Sequence, residues 1–126
     1  MGIEALSRGA ASAVFVDQQD SACRLILENL KRTHFENQGK VVRSDYHSFL
    51  QNNTERFHII LLDPPYAEVF LENSLKMITE IDILETGGII VAERPFGKDL
   101  LWDFPGFSRS KDYKYGNTVL TLFRKV

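Results

Sequence analysis

A chain of 126 residues, 44% hydrophobic and 25% charged, is sized for one compact domain with its own core. Its formal net charge of -2 argues against a protein that coats nucleic acid nonspecifically, because phosphate binding draws on a basic excess. Apolar runs such as Ile59 to Leu62 are far too short for a bilayer, and the N-terminus lacks the basic and apolar regions of a signal peptide, so a cytoplasmic protein is expected. The single cysteine, Cys23, leaves no internal disulfide framework and reads as a small core or boundary residue.

Ile3 to Arg8 reads as the tail of a helix whose start is out of view, closed by Gly9 in the left-handed conformation that ends helices. Ala13 to Val16 is a short apolar strand with Asp17 at its carboxyl edge. Ala22, Leu25, Ile26 and Leu30 then recur at helical spacing opposite Arg24, Glu28, Asn29, Lys31 and Arg32, which predicts an amphipathic helix of about four turns. Val41-Val42 makes a second strand, followed by Asp45 and a brief helix through Leu50 that Asn52-Asn53 break. Phe57 to Leu62, a near-continuous aromatic and branched run, reads as a central strand buried on both faces.

Val69 to Leu84 reads as a helix ending at Gly87-Gly88, with Ile89 to Ala92 as the next strand. Four such alternations predict an α/β fold, a mostly parallel sheet covered on both sides. Phe107 to Tyr115 and Thr118 to Phe123 are strand-like runs joined by Gly116-Asn117, a pair suited to a tight turn, so an antiparallel C-terminal hairpin closes the sheet. Arg109, Lys111 and Lys114 cluster there, a run more often a solvated face than a binding site. Residues 1–126 are expected to form a single domain.

Open parallel sheets bind ligands beyond the carboxyl ends of their strands, and Asp17, Asp45 and Asp63 each stand there. Any one of them alone reads as a helix N-cap; their repetition favours function. Asp17 is the candidate for ribose hydroxyls, which an acid about 20 residues beyond a glycine loop is placed to bind. Asp63-Pro64-Pro65-Tyr66 is harder to explain as structure alone, because two successive prolines fix consecutive backbone angles and remove two N–H donors. The Pro64 carbonyl is held beside the Asp63 carboxylate, a pair of acceptors for both hydrogens of an exocyclic amine, and Tyr66 offers a flat face to a base. A rigid turn with a packed tyrosine is the alternative.

Asp-Pro-Pro-Tyr is the fourth motif of amino methyltransferases. Together with Gly2-Ile3-Glu4-Ala5-Leu6-Ser7-Arg8-Gly9, Val14-Phe15-Val16-Asp17 and the closing Tyr115-Gly116-Asn117-Thr118, it makes the chain resemble the bacterial 16S ribosomal RNA guanine-N2 methyltransferases. The resemblance implies a Rossmann-like class I methyltransferase sheet, S-adenosylmethionine as cofactor, and ribosomal RNA or the small ribosomal subunit as partner, with no membrane and no metal. By it, Asp17 would bind the cofactor ribose, Asp45 would accept from the adenine amine and Asp63 would meet the target amine. Gly2 and Asp63 count with Asp17 and Asp45 as cofactor contacts, Asp63, Pro64 and Tyr66 as catalytic, and Pro65 and Tyr66 as substrate-binding.

The family also has a strand and a glycine-rich loop, roughly Asp-Leu-Phe-x-Gly-x-Gly, before the run that stands here as Gly2-Ile3-Glu4, and a basic segment before that. Met1 reads equally as an initiator assigned too late, a family residue, or the true start of a shortened protein. The expectation is an N-terminally truncated domain with the first strand missing, poorly stable or inactive unless another chain fills the gap. DNA adenine-N6 methylation, which shares the tetrapeptide, and a noncatalytic nucleic-acid-binding scaffold are the alternatives. His34, His47 and His58 lack metal-ligand spacing, and Trp102, Phe104 and Phe107 read by default as core packing, with a hydrophobic cover or substrate contact as the alternatives.

Overall fold

The computed structural model describes residues 2–62, 68–95 and 104–126, the side chains of 68–70 excepted. Asp63, Pro64, Pro65, Tyr66 and Trp102 lie outside the described residues. The chain separates into two compact units, Met1–Asn53 and Thr54–Val126. Among the described residues, no helix is long and apolar enough to cross a membrane.

The first unit runs α1 (Gly2–Ser7), β1 (Ala13–Asp17), α2 (Asp20–Arg32), β2 (Gly39–Arg43) and α3 (Tyr46–Asn52). Its two strands pair in parallel, Ala13 level with Gly39 and Asp17 with Arg43. Helix α1 closes as expected: Gly9 takes a positive φ of 107°, the Ala10 N–H donates to the Ala5 carbonyl and the Gly9 N–H to the Leu6 carbonyl, which satisfies carbonyls the helix leaves open.

Helix α2 corrects one expectation. Cys23 and Leu30 are buried with Ile26 half-buried between them, whereas Leu25 is 58% exposed. At 100° per residue, positions 23, 26 and 30 share one side and position 25 lies nearly opposite. This helix ends in the same kind of closure, with His34 as the left-handed residue at φ 62° and the Phe35 N–H donating to the Leu30 carbonyl. Any side chain with a Cβ bears a steric cost there that glycine does not. His34→Gly is therefore expected to raise stability by about 0.5–1 kcal/mol, seen as a higher urea midpoint; a lower one refutes the assignment.

The second unit contains β3 (Phe57–Leu62), α4 (Glu68–Glu80), β4 (Leu84–Pro95), β5 (Phe107–Arg109), β6 (Tyr113–Tyr115) and β7 (Thr118–Lys125). Its sheet has the order β3-β4-β7-β5, with β6 also on β7. β3 and β4 are parallel; β7 runs antiparallel to β4, β5 and β6. Leu71, Leu75 and Ile78 of α4 and Leu84, Ile90, Ala92, Val119 and Phe123 of the sheet are its buried apolar set. Ile90 is level with Phe123, Ala92 with Thr121 and Arg94 with Val119, so these buried residues share one sheet face.

Three boundaries differ from expectation. β3 is not central: it stands at the end of its sheet's order, and Ile59 and Leu61 are exposed. A continuous apolar run does not distinguish a strand covered on both faces from one covered on a single face. Helix α4 stops at Glu80 rather than near Leu84, because the sheet uses the following residues: the Phe57 N–H donates to the Ile83 carbonyl, and Ile83 and Leu84 are buried.

Gly87-Gly88 accordingly ends no helix. Between the pairs Phe57–Leu84 and Ile59–Ile89, His58 alone stands opposite the four residues Glu85 to Gly88, a bulge in β4. Gly87 has φ 79°, and a Cβ on Gly88 would lie 2.7 Å from the Glu85 carbonyl oxygen. The third difference is that Phe107 to Tyr115 is two strands. Arg109 is level with Phe123 and Tyr113 with Leu120, so Ser110, Lys111 and Asp112 bulge opposite Thr121 and Leu122. The tight turn at Gly116-Asn117 is as expected, Tyr115 pairing with Thr118 across it.

Candidate active site

In the first unit, Asp17 and Asp45 are brought to one end of a two-stranded parallel sheet. Asp17 closes β1, level with Arg43 at the close of β2, and the Ser44 N–H donates to the Asp17 carbonyl at 3.0 Å. The Asp17 Oδ1 accepts from the Gln19 N–H at 2.8 Å, which turns the chain into α2, and the buried Cys23 thiol donates to the Asp17 carbonyl at 3.4 Å. Among the described residues, Asp17 Oδ2 accepts no hydrogen bond. This half-buried carboxylate therefore keeps an open acceptor at the strand end.

Asp45 is the N-cap of α3. Its Oδ1 accepts from the Ser48 N–H at 2.8 Å and its Oδ2 from the Ser48 hydroxyl at 2.9 Å. Those bonds, the backbone one foremost, hold its carboxyl below the ordinary value of 3.8, so it is ionised and acts purely as an acceptor near neutrality. A carboxylate oxygen accepts more than one bond, so capping leaves acceptor capacity for a ligand amine.

Gly2 begins α1, and a Cβ there would lie 2.3 Å from Cε1 of Phe15. The missing side chain makes room for the Phe15 ring, a packing reason for glycine that sequence inspection did not supply.

In the second unit, β3 delivers the chain to Asp63: Leu62, its last residue, is level with Ala92 of β4. Phe104, one of the aromatics expected to pack, meets the buried Phe123 edge to face, with ring centroids 5.6 Å apart and planes at 76°.

No sequence motif marks a polar cluster that stands at the same end of this sheet. The Arg94 guanidinium, with a side chain only 5% exposed, donates to Asp112 at 2.7 Å and to the Thr121 hydroxyl at 3.1 Å. The Thr121 hydroxyl in turn donates to Asp112 at 2.8 Å. Arg109 approaches the same carboxylate at 3.4 Å. Burial alone would push the Asp112 carboxyl up, but the Thr121 hydroxyl and the Arg94 and Arg109 cations outweigh it and hold it below 3.8. Among the described residues, no group of three or more His, Cys, Asp or Glu side chains is placed to hold a metal.

The family described as "Conserved hypothetical protein 95" matches residues 1–124. A Bacillus subtilis protein named "Putative rRNA methyltransferase YlbH" is 34% identical over 128 residues, covering 99% of this chain and 70% of that protein. "Ribosomal RNA small subunit methyltransferase D" of Escherichia coli K12 is 29% identical over 125 residues, covering 99% of this chain and 63% of its own length. The chain thus spans about two thirds of these curated relatives. A solved structure described as a "Putative methyltransferase yhhF from Escherichia coli" superposes with a TM-score of 0.88 at 24% identity, covering 98% of this chain and 69% of that one. The fold is the Rossmann-like α/β fold of class I methyltransferases.

Proposed function

The chain belongs to the family described as Conserved hypothetical protein 95, and on that footing we propose that it is the catalytic domain of an S-adenosylmethionine-dependent methyltransferase acting on a guanine N2 amine in small-subunit ribosomal RNA. Relatives named as rRNA methyltransferases support the reaction and substrate class. The structural observation that carries it is the pair Asp17 and Asp45 at adjacent strand ends, one with an unused oxygen and the other held ionised.

Those two carboxylates fit the donors of an adenosine group. Asp17 Oδ2 accepts from ribose hydroxyls, and Asp45 accepts from the adenine amine. Gly2 would be a further cofactor contact. When bound, the cofactor supplies an electrophilic sulfonium methyl. The target amine is itself the nucleophile, so no side chain forms a covalent bond to the substrate.

Asp63 and the Pro64 carbonyl would accept the two amine hydrogens and hold the nitrogen lone pair in an attacking orientation; as the N–C bond forms the S–C bond would break, the cofactor leaving as its neutral thioether and the amine proton passing to Asp63 or solvent. Positioning then supplies much of the rate. Pro65 would restrict the backbone beside them, and Tyr66 would stack on the guanine once it has left its own stack. Asp63 orients the amine and need not be a strong base. The activity belongs to the cytoplasm, with the ribosomal subunit or its RNA as partner.

Incubating the chain with methyl-labelled S-adenosylmethionine and unmodified 16S RNA or small subunits, then digesting to nucleosides, tests this. Label in N2-methylguanosine is expected. Label in N6-methyladenine of added DNA, or no cofactor binding at all, overturns it in favour of an adenine methyltransferase or a scaffold respectively.

A further inference from the structure

We propose that the C-terminal hairpin is a stacking surface for unpaired nucleotides flanking the target base, an assignment that rests on the RNA-directed function above and extends it to how the substrate is held. Tyr113 pairs with Leu120 and Tyr115 with Thr118, so both tyrosines project from one face of the hairpin, while Lys114, opposite Val119, projects from the other. Tyr113 is 40% and Tyr115 64% exposed. Among the described residues, no hydrogen bond, ion pair or ring contact holds the Tyr115 side chain. Two residues along a strand set the rings about 7 Å apart, roughly twice the 3.4 Å spacing of stacked bases.

The charge around them suits a polyanion. Residues 109–115 carry three basic side chains, Arg109, Lys111 and Lys114, against the single acid Asp112, within a chain of net charge -2. Arg109 is engaged by Asp112. Lys111 instead places its ammonium 5.6 Å from the centroid of the Tyr113 ring, a cation beside a stacking position and in reach of the phosphate of a base that stacks there.

Location ties the surface to the acceptor site. Leu62, immediately before Asp63, is level with Ala92; Ala92 is level with Thr121 and Pro95 with Thr118; Thr118 is level with Tyr115. The tyrosines thus stand at the end of the sheet where β3 finishes, with Tyr115 three strand spacings, about 14 Å, across and three residues, about 10 Å, along from Leu62. An RNA strand entering at the carboxyl end of β3 would reach Tyr115 within a few nucleotides. Sequence-tolerant stacking of this kind grips the neighbours of the target while the acceptor site reads the target itself.

The test is fluorescence anisotropy of the full chain with a labelled, unstructured single-stranded RNA oligonucleotide and, separately, an RNA duplex of equal length, alongside methyl-transfer kinetics on 16S RNA. Tyr115→Ala is expected to weaken binding of the single strand about tenfold and raise KM for RNA, with its melting temperature unchanged; Tyr115→Phe, which keeps the ring, stays within about twofold. Lys111→Gln should lower the slope of log affinity against log salt by about 0.7. Native-like binding by Tyr115→Ala, an equal loss on the duplex, or no RNA binding by the native chain overturns the proposal. Methyl transfer with an unchanged KM in Tyr115→Ala overturns the surface and leaves the enzymatic assignment standing, whereas tyrosine-dependent RNA binding without any methyl transfer does the reverse.

Discussion

Asp63→Ala lowers kcat for methyl transfer to RNA by at least about 100-fold, the scale at which loss of orientation at a reacting centre is felt. In the proposed mechanism its carboxylate is one of two acceptors for the amine hydrogens, and without it the nitrogen lone pair would stay delocalised into the base. Asp63→Asn keeps one carbonyl acceptor but turns the other oxygen into a donor, so it retains a small part of the rate. Single-turnover kinetics at saturating cofactor and RNA read the chemical step directly. RNA affinity falls far less, because stacking and phosphate contacts do not depend on Asp63. An Asp63→Ala variant that transfers methyl at the native rate removes Asp63 from the chemistry, and one that fails to melt cooperatively assigns the residue to structure instead.

The parts of the fold that were legible in the sequence are those fixed by local chemistry. Gly9 and Gly116 announced a helix end and a turn because both need a positive φ, Asp17 announced a strand end because a short acid stops an apolar run and turns the chain, and Asp45 announced a helix start because it caps the first turn. Gly87-Gly88 misled for the same reason. A glycine pair permits a helix stop and a bulge equally, and only the pairing of β4 with β3 selects the bulge. Leu25 misled because leucine is written the same whether it faces the core or solvent. Tyr113 and Tyr115 were visible as strand formers, but the face they share was not, since it depends on the bulge at Asp112 that sets their register.

The Arg94 cluster was invisible for a further reason: its members are separated by 18 residues from Arg94 to Asp112 and by 9 from Asp112 to Thr121, so no local pattern joins them. Its removal carries a large stability effect. Asp112→Ala leaves the nearly buried Arg94 guanidinium and the buried Thr121 hydroxyl without their shared acceptor, and breaking a buried pair from one side costs about 3–5 kcal/mol. Because Asp112 is itself 35% exposed, the expected loss is nearer 2–3 kcal/mol, between the buried and surface limits.

The sign with pH follows from the carboxyl lying below 3.8 in the folded chain. Its contribution is fully present above the unfolded value near 4 and fades as pH falls through the lower folded value. Urea melts of native chain and Asp112→Ala should therefore differ most at pH 6–7 and converge toward pH 3. Equal midpoints at pH 7, or a gap that widens in acid, contradict the role. Since Asp112 also fixes the bulge that precedes Tyr113 and Tyr115, the same substitution should weaken single-stranded RNA binding even where the chain remains folded, linking a buried ion pair to the surface that holds the substrate.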